Sequence, residues 1–294
     1  MNLLRNSPLI LLIFLALAFL FPGPAIALKP FIITVLVISM TLSLQEADID
    51  LKGKKKYYFT VKLMALNFVL LSGLLILSSL LVSSPDFRAG LIVLAAVPPA
   101  IAVITTAFLL KADVKQGLLA QAACYVFSLL FTPLIIWLFF RNQVNILELL
   151  KILVLLIIVP FILSRGVVWL KKKLSIRHDF KELANLAFGL TFYMAIALAV
   201  DKIIASPNSV LYLVLISVLS SFGLGSLLIF IGRKAGLRKG EFTLCSLFGT
   251  LKNGSFALGI CVSLFAPASF VPIAVMSVVH VFYIIFLLWF LRRL

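Results

Sequence analysis

The chain has 294 residues, 63% of them hydrophobic and 12% charged, with a mean hydropathy of +1.22. Soluble domains are about half apolar and a quarter charged, so this composition excludes an ordinary soluble globular protein and leaves an integral membrane protein. The net charge of +16, from 26 Lys+Arg against 10 Asp+Glu, would suggest a nucleic-acid partner in a soluble chain; here the charges follow membrane topology, and no nucleic acid is expected.

Crossing a hydrocarbon core of roughly 30 Å takes about 20 helical residues. Divided at its polar clusters, the sequence yields ten apolar runs: 7–28, 30–45, 58–83, 89–110, 114–140, 145–170, 183–203, 208–232, 242–265 and 270–291. The first two, separated only by Pro22, Pro24 and the Lys29-Pro30 pair, are together too long to cross once, so two spans are expected there. Phe21-Pro22-Gly23-Pro24 is a poor small-residue cleavage site, and no leader is expected to be removed. Cys124, Cys245 and Cys261 lie inside apolar runs and form no disulfide framework.

Lys and Arg gather in cytoplasmic loops. One alternate set of connections carries Arg5, the cluster from Lys52 to Lys62, Lys111 and Lys115, the cluster from Arg165 to Lys181, Arg233 to Lys239, and Arg292-Arg293. The other set carries only Lys29, Arg88, Arg141, Lys151 and Lys202. This asymmetry predicts ten spans with both termini cytoplasmic; the expected location is the inner (plasma) membrane of a prokaryote. Topology also accounts for Lys54-Lys55-Lys56 and Lys171-Lys172-Lys173 without a specific lipid headgroup. Lys252 alone stands apart, in the middle of the ninth run.

Ten spans divide into two sets of five, 1–141 and 142–294, and an odd number makes the second set enter the membrane in the opposite sense. This is the inverted-repeat plan of many secondary transporters, in which interrupted helices at matching positions form a site near the midplane. The fourth span carries Pro98-Pro99 at its centre, and the fourth span of the second half carries Lys252-Asn253-Gly254. Two prolines remove two backbone donors and free carbonyls near Leu94 and Ala95; Asn-Gly readily leaves the helical region. Freed backbone at bilayer depth is tolerated only inside protein or beside a wet cavity, where ligands bind.

These residues resemble the bile acid/sodium symporter family of ten-helix carriers. The resemblance runs through Pro30-Phe31-Ile32 to Met40-Thr41-Leu42, Val97-Pro98 to Asp113-Val114, Gly236-Leu237 to Lys252-Asn253, and Met276-Ser277-Val278-Val279-His280. It implies an all-α fold whose fourth and ninth helices unwind and cross, and symport of an organic anion with two sodium ions. This chain departs from the family at those ion sites. The family's Ser-Asn pair falls on Val103-Ile104, its fifth-helix Ser and Thr on Gly117 and Gln121, and its Glu-Val-Gly-Met-Gln-Asn on Phe248 to Asn253. A carboxylate has become Phe248, a glutamine Lys252, and a third-helix glutamine Asn67. A sodium ion needs several converging oxygens, so sodium coupling of the family type is not expected; a proton remains available as the coupling ion.

A charge at the bilayer centre is costly and marks a pathway, and all ten acids lie in loops or at span ends. Three roles are open to Lys252: a tethered cation in the lost sodium's place, bonded to unwound carbonyls and to Asn67, Gln121 or Asn253; a titrating group; or a direct ligand of the substrate. A lysine that merely snorkels to water is the plain alternative. His280 can relay protons or bond a neighbouring carbonyl as a packing residue. Thr105, Thr106, Thr250 and Ser255 complete the polar residues near the breaks, with Pro98 and Pro99 themselves.

No nucleotide loop, metal-spaced cluster or nucleophile triad occurs, so neither an enzyme nor a cofactor is expected. The expected function is secondary transport of a small or amphipathic organic anion by alternating access, independent of sodium. The alternatives are a non-transporting sensor or scaffold on the same fold and a conventional sodium-coupled symporter.

Overall fold

The computed structural model describes residues 7–44, 54–141, 143–175 and 180–293. Arg5, Lys52, Arg177 and His178, with the acids Glu46, Asp48, Asp50 and Asp179, lie outside the described residues.

The described residues are helical, with no strand among them, and seven helices are long and apolar enough to cross a membrane. In chain order the elements are α1 (Ser7–Leu20), α2 (Gly23–Leu44), α3 (Tyr57–Ser79), α4 (Pro85–Ala96), α5 (Ala102–Leu109) and α6 (Val114–Phe140). They continue as α7 (Ile146–Lys173), α8 (Glu182–Ala205), α9 (Pro207–Lys234), α10 (Lys239–Phe248), α11 (Gly254–Leu264) and α12 (Phe270–Arg293). The chain is thus a polytopic helical membrane protein.

The boundary expected at Lys29-Pro30 is corrected. The chain leaves the helix at Phe21-Pro22, because the residue before a proline is pushed from the helical region. Pro30 is absorbed in a tight 3-10 turn, Lys29–Phe31, that carries α2 onward to Leu44. Helix starts follow side-chain chemistry. Ser84, Asp113, Asn145 and Asn253 each accept a hydrogen bond from a first-turn backbone N–H of α4, α6, α7 and α11. At the start of α10 the Arg238 guanidinium, and then its backbone N–H, hold the Glu241 carboxyl below the usual carboxylate range.

Three helices contain wide π turns: Leu66–Leu71 in α3, Val154–Ile158 in α7 and Leu219–Gly223 in α9. The first has a direct consequence. Residues five apart in a regular α-helix point about 140° from each other, whereas the widened turn brings Asn67 and Ser72 to one face, where both reach the same ammonium.

In packing, α1 and α2 lie against α8, and α2 also against α7. The other helices form a second group in which α4 is surrounded by α3, α6, α11 and α12, and α10 by α9, α5 and α3. Small residues let the groups approach: a Cβ on Gly259 of α11 would stand 2.9 Å from Leu36 of α2 and 3.1 Å from Leu156 of α7.

Candidate functional site

The two expected interruptions are present and meet. The chain leaves the helix between α4 and α5 at Pro98-Pro99, and between α10 and α11 at Gly249 to Asn253. Pro99 and Lys252 form an isolated antiparallel bridge: the Ala100 N–H donates to the Leu251 carbonyl at 3.1 Å, and the Asn253 N–H to the Pro98 carbonyl at 3.0 Å. Two segments that cannot continue their own helices therefore satisfy each other.

Buried backbone carbonyls must find donors, and those freed by the prolines do. The Ala95 carbonyl accepts from Ser72 Oγ at 2.6 Å and Lys252 Nζ at 3.1 Å. The Ala96 carbonyl accepts from Thr132 Oγ1 at 2.8 Å, and the Val97 carbonyl from Lys252 Nζ at 2.9 Å. Gln121 Nε2 donates to the Pro99 carbonyl at 3.0 Å and the Ala100 carbonyl at 3.3 Å. Thr132→Val, which keeps the shape and removes the donor, is expected to cost about 1–3 kcal/mol, read as a lower melting temperature in detergent.

Lys252 is 1% exposed. Four oxygens share the three N–H donors of its ammonium: Asn67 Oδ1 and Ser72 Oγ, each at 2.9 Å, and the carbonyls of Ala95 and Val97. The Phe68 ring covers it, with Nζ 4.9 Å from the ring centroid. Phe127 and Phe131 hold that ring edge-on, at 4.9 and 4.8 Å between centroids. Asn67 Nδ2 donates to the Phe248 carbonyl at 2.8 Å, which orients its oxygen toward Nζ. No Asp or Glu forms an ion pair with Lys252 among the described residues. The charge is thus held by neutral oxygens and a π face, as a chelated monovalent cation would be.

Of the partners expected for Lys252, Asn67 and the unwound carbonyls are present; Gln121 and Asn253 are engaged elsewhere. Asn253 caps α11 and donates from Nδ2 to the Tyr125 hydroxyl at 2.8 Å. Thr250 Oγ1 bonds back to the Ser246 carbonyl at 2.7 Å, one turn earlier. Ser255 Oγ lies 3.1 Å from Thr191 Oγ1 of α8 and joins the two helix groups. Thr105 and Thr106 sit on α5, half-buried and buried, away from the cavity lining. Ser72, Phe68, Thr132 and Tyr125 were not legible as site residues. The only signal for Ser72 was its place five residues after Asn67, which a regular helix would turn away.

Beside the crossing is a cavity of about 40 Å³. Leu11 of α1 and Phe188 and Phe192 of α8 wall one side; Asn253, Gly254, Ser255, Ser277 and His280 line the other. Space of this size holds a few water molecules. His280 is 7% exposed. The Thr250 backbone lies beside its ring, and its Nε2 is buried without a partner among the described residues. No group of three His, Cys, Asp or Glu able to hold a metal occurs among the described residues.

No family model matches the chain, and no curated protein matches it.

Proposed function

We propose that the protein is a secondary transporter of a small or amphipathic organic anion. It would work by alternating access on a ten-span plan of two inverted five-helix repeats, 1–141 and 142–294. In this reading α4–α5 and α10–α11 each make one broken span, α1 is the first span, and both termini are cytoplasmic. The group of α1, α2, α7 and α8 rocks against the rest, with the anion bound at the cavity between them.

The observation that carries the reading is the four-oxygen cradle of Lys252 at the meeting of two broken helices. An ammonium at bilayer depth, with no acid beside it among the described residues, would place a positive charge next to a cavity. On the resemblance, it would stand where those symporters hold a cation, and transport would then be independent of sodium.

The test is uptake of labelled benzoate, lactate and taurocholate into proteoliposomes, in potassium buffer with and without sodium. The expected result is saturable uptake of at least one of them, unchanged by sodium. Uptake that requires sodium would return the conventional symporter, and uptake of none would favour a non-transporting relative.

A further inference from the structure

The cavity beside the crossing is built of donors and lacks a counter-charge. Its described polar lining is Lys252 to Ser255, Ser277 and His280, and no carboxylate reaches it. The Thr250 backbone carbonyl acts on the His280 ring, and a ring proton directed at it leaves the other nitrogen as an acceptor. Nε2 is the nitrogen buried with no partner among the described residues, so in that tautomer Nδ1 would carry the proton and Nε2 a lone pair. A buried imidazole nitrogen left unpaired is costly. The nearest hydroxyl of the α11 turn, Ser255, is already paired with Thr191.

A carboxylate cannot donate to that lone pair. It can accept strongly from Nε2 once the nitrogen is protonated. A second positive charge beside the tethered Lys252 has no acid among the described lining residues to offset it, and an entering anion supplies the offset. Proton and anion therefore each raise the affinity for the other, as linkage requires.

We infer that one proton enters at His280 Nε2 with each substrate carboxylate, so that a proton takes the coupling role that sodium has in the symporters this chain resembles. The inference rests on reading the protein as an anion carrier. A proton from water adds to the Nε2 lone pair, Nδ1–H stays on the Thr250 carbonyl, and Nε2–H bonds the carboxylate. On the opposite side the anion departs and Nε2 returns its proton to water. No covalent bond to the substrate forms.

The other titratable groups around this corner are occupied. Lys252 is held by its four oxygens, and Cys124 of α6 is buried near it. Tyr125 of α6 bonds Asn253, Tyr193 of α8 donates to the Phe21 carbonyl at 2.7 Å, and Tyr283 of α12 pairs with Ser246. Helices α1 and α5 and the break before α5 present only Leu11, Ala102 and Ala100.

The experiment is thermal stability of the purified protein in detergent against potassium benzoate and potassium lactate, with potassium chloride as control, from about pH 5.5 to 8. A ligand bound only by the folded state raises the midpoint once its concentration passes Kd. For the wild type, the half-saturating concentration is expected to rise by up to tenfold per pH unit, the limit for one linked proton. In His280→Gln, whose amide keeps a donor that does not titrate, it is expected to be flat. In weakly buffered solution the wild type alone is expected to take up about one proton per benzoate bound, which needs no variant to fold. Carboxylate binding with no pH slope, a slope that survives His280→Gln, or binding without proton uptake would overturn the inference and leave the carrier reading standing. Absence of any carboxylate effect at every pH would defeat the anion reading, and this inference with it.

Discussion

The wild type is expected to be indifferent to sodium, and Lys252→Gln to be stabilised by it. The ammonium now donates to Asn67 Oδ1, Ser72 Oγ and the carbonyls of Ala95 and Val97. A neutral, shorter amide cannot reach all four. Without added ion, oxygens such as Val97 O lose their donor in a dry interior, at about 1–3 kcal/mol for each one stranded. Loss of the buried charge offsets part of this, so the net destabilisation is set at roughly 2–4 kcal/mol.

The same four oxygens then surround a space open to a free monovalent cation. At an ion concentration near 100 times Kd the recovery is about 2.7 kcal/mol, or roughly 5–10 °C for a chain of this size. The measurement is the melting temperature of wild type and variant in detergent across sodium and potassium titrations. A sodium response in the wild type would show that ordinary ion sites persist elsewhere. Indifference of both proteins would show that the cradle serves the lysine alone.

The second large effect is expected at the turn between α11 and α12. A Cβ on Gly90 of α4 would lie 2.2 Å from the Ser269 backbone carbonyl oxygen and 3.0 Å from the Pro272 ring. Neither atom belongs to a flexible side chain, so Gly90→Ala must push α4 away from the turn at Pro267–Ser269. Overpacking of this kind costs about 1–3 kcal/mol, occasionally more. The upper end is expected because α4 also carries the carbonyls of Ala95 and Ala96 into the crossing. Gly73→Ala is the matched control: nothing lies within 4 Å of its Cβ, and an alanine there is expected to be neutral or stabilising by up to about 1 kcal/mol. Equal melting temperatures for the two variants would refute the close-packing argument.

Membrane class, the positions of both breaks and the isolation of Lys252 from the acids among the described residues were legible from composition and local chemistry. Prolines lack a donor, Asn-Gly leaves the helix, and apolar runs need lipid; none of these requires knowledge of distant contacts. The break at Phe21-Pro22 was misplaced at Lys29-Pro30 because two proline clusters compete within one run, and only the tight turn at Lys29–Phe31 decides between them. Nothing local could choose the lysine's partners. Asn67, Ser72, Ala95 and Val97 lie 185, 180, 157 and 155 positions away along the chain, and the pairing of Asn67 with Ser72 depends on a π turn that periodicity does not announce. The sequence by itself determined that a charge must be buried at a broken helix, because composition and backbone donors are counted locally. The tertiary structure decided which oxygens satisfy it, because hydrogen bonds in a dry interior are settled by which distant segments meet.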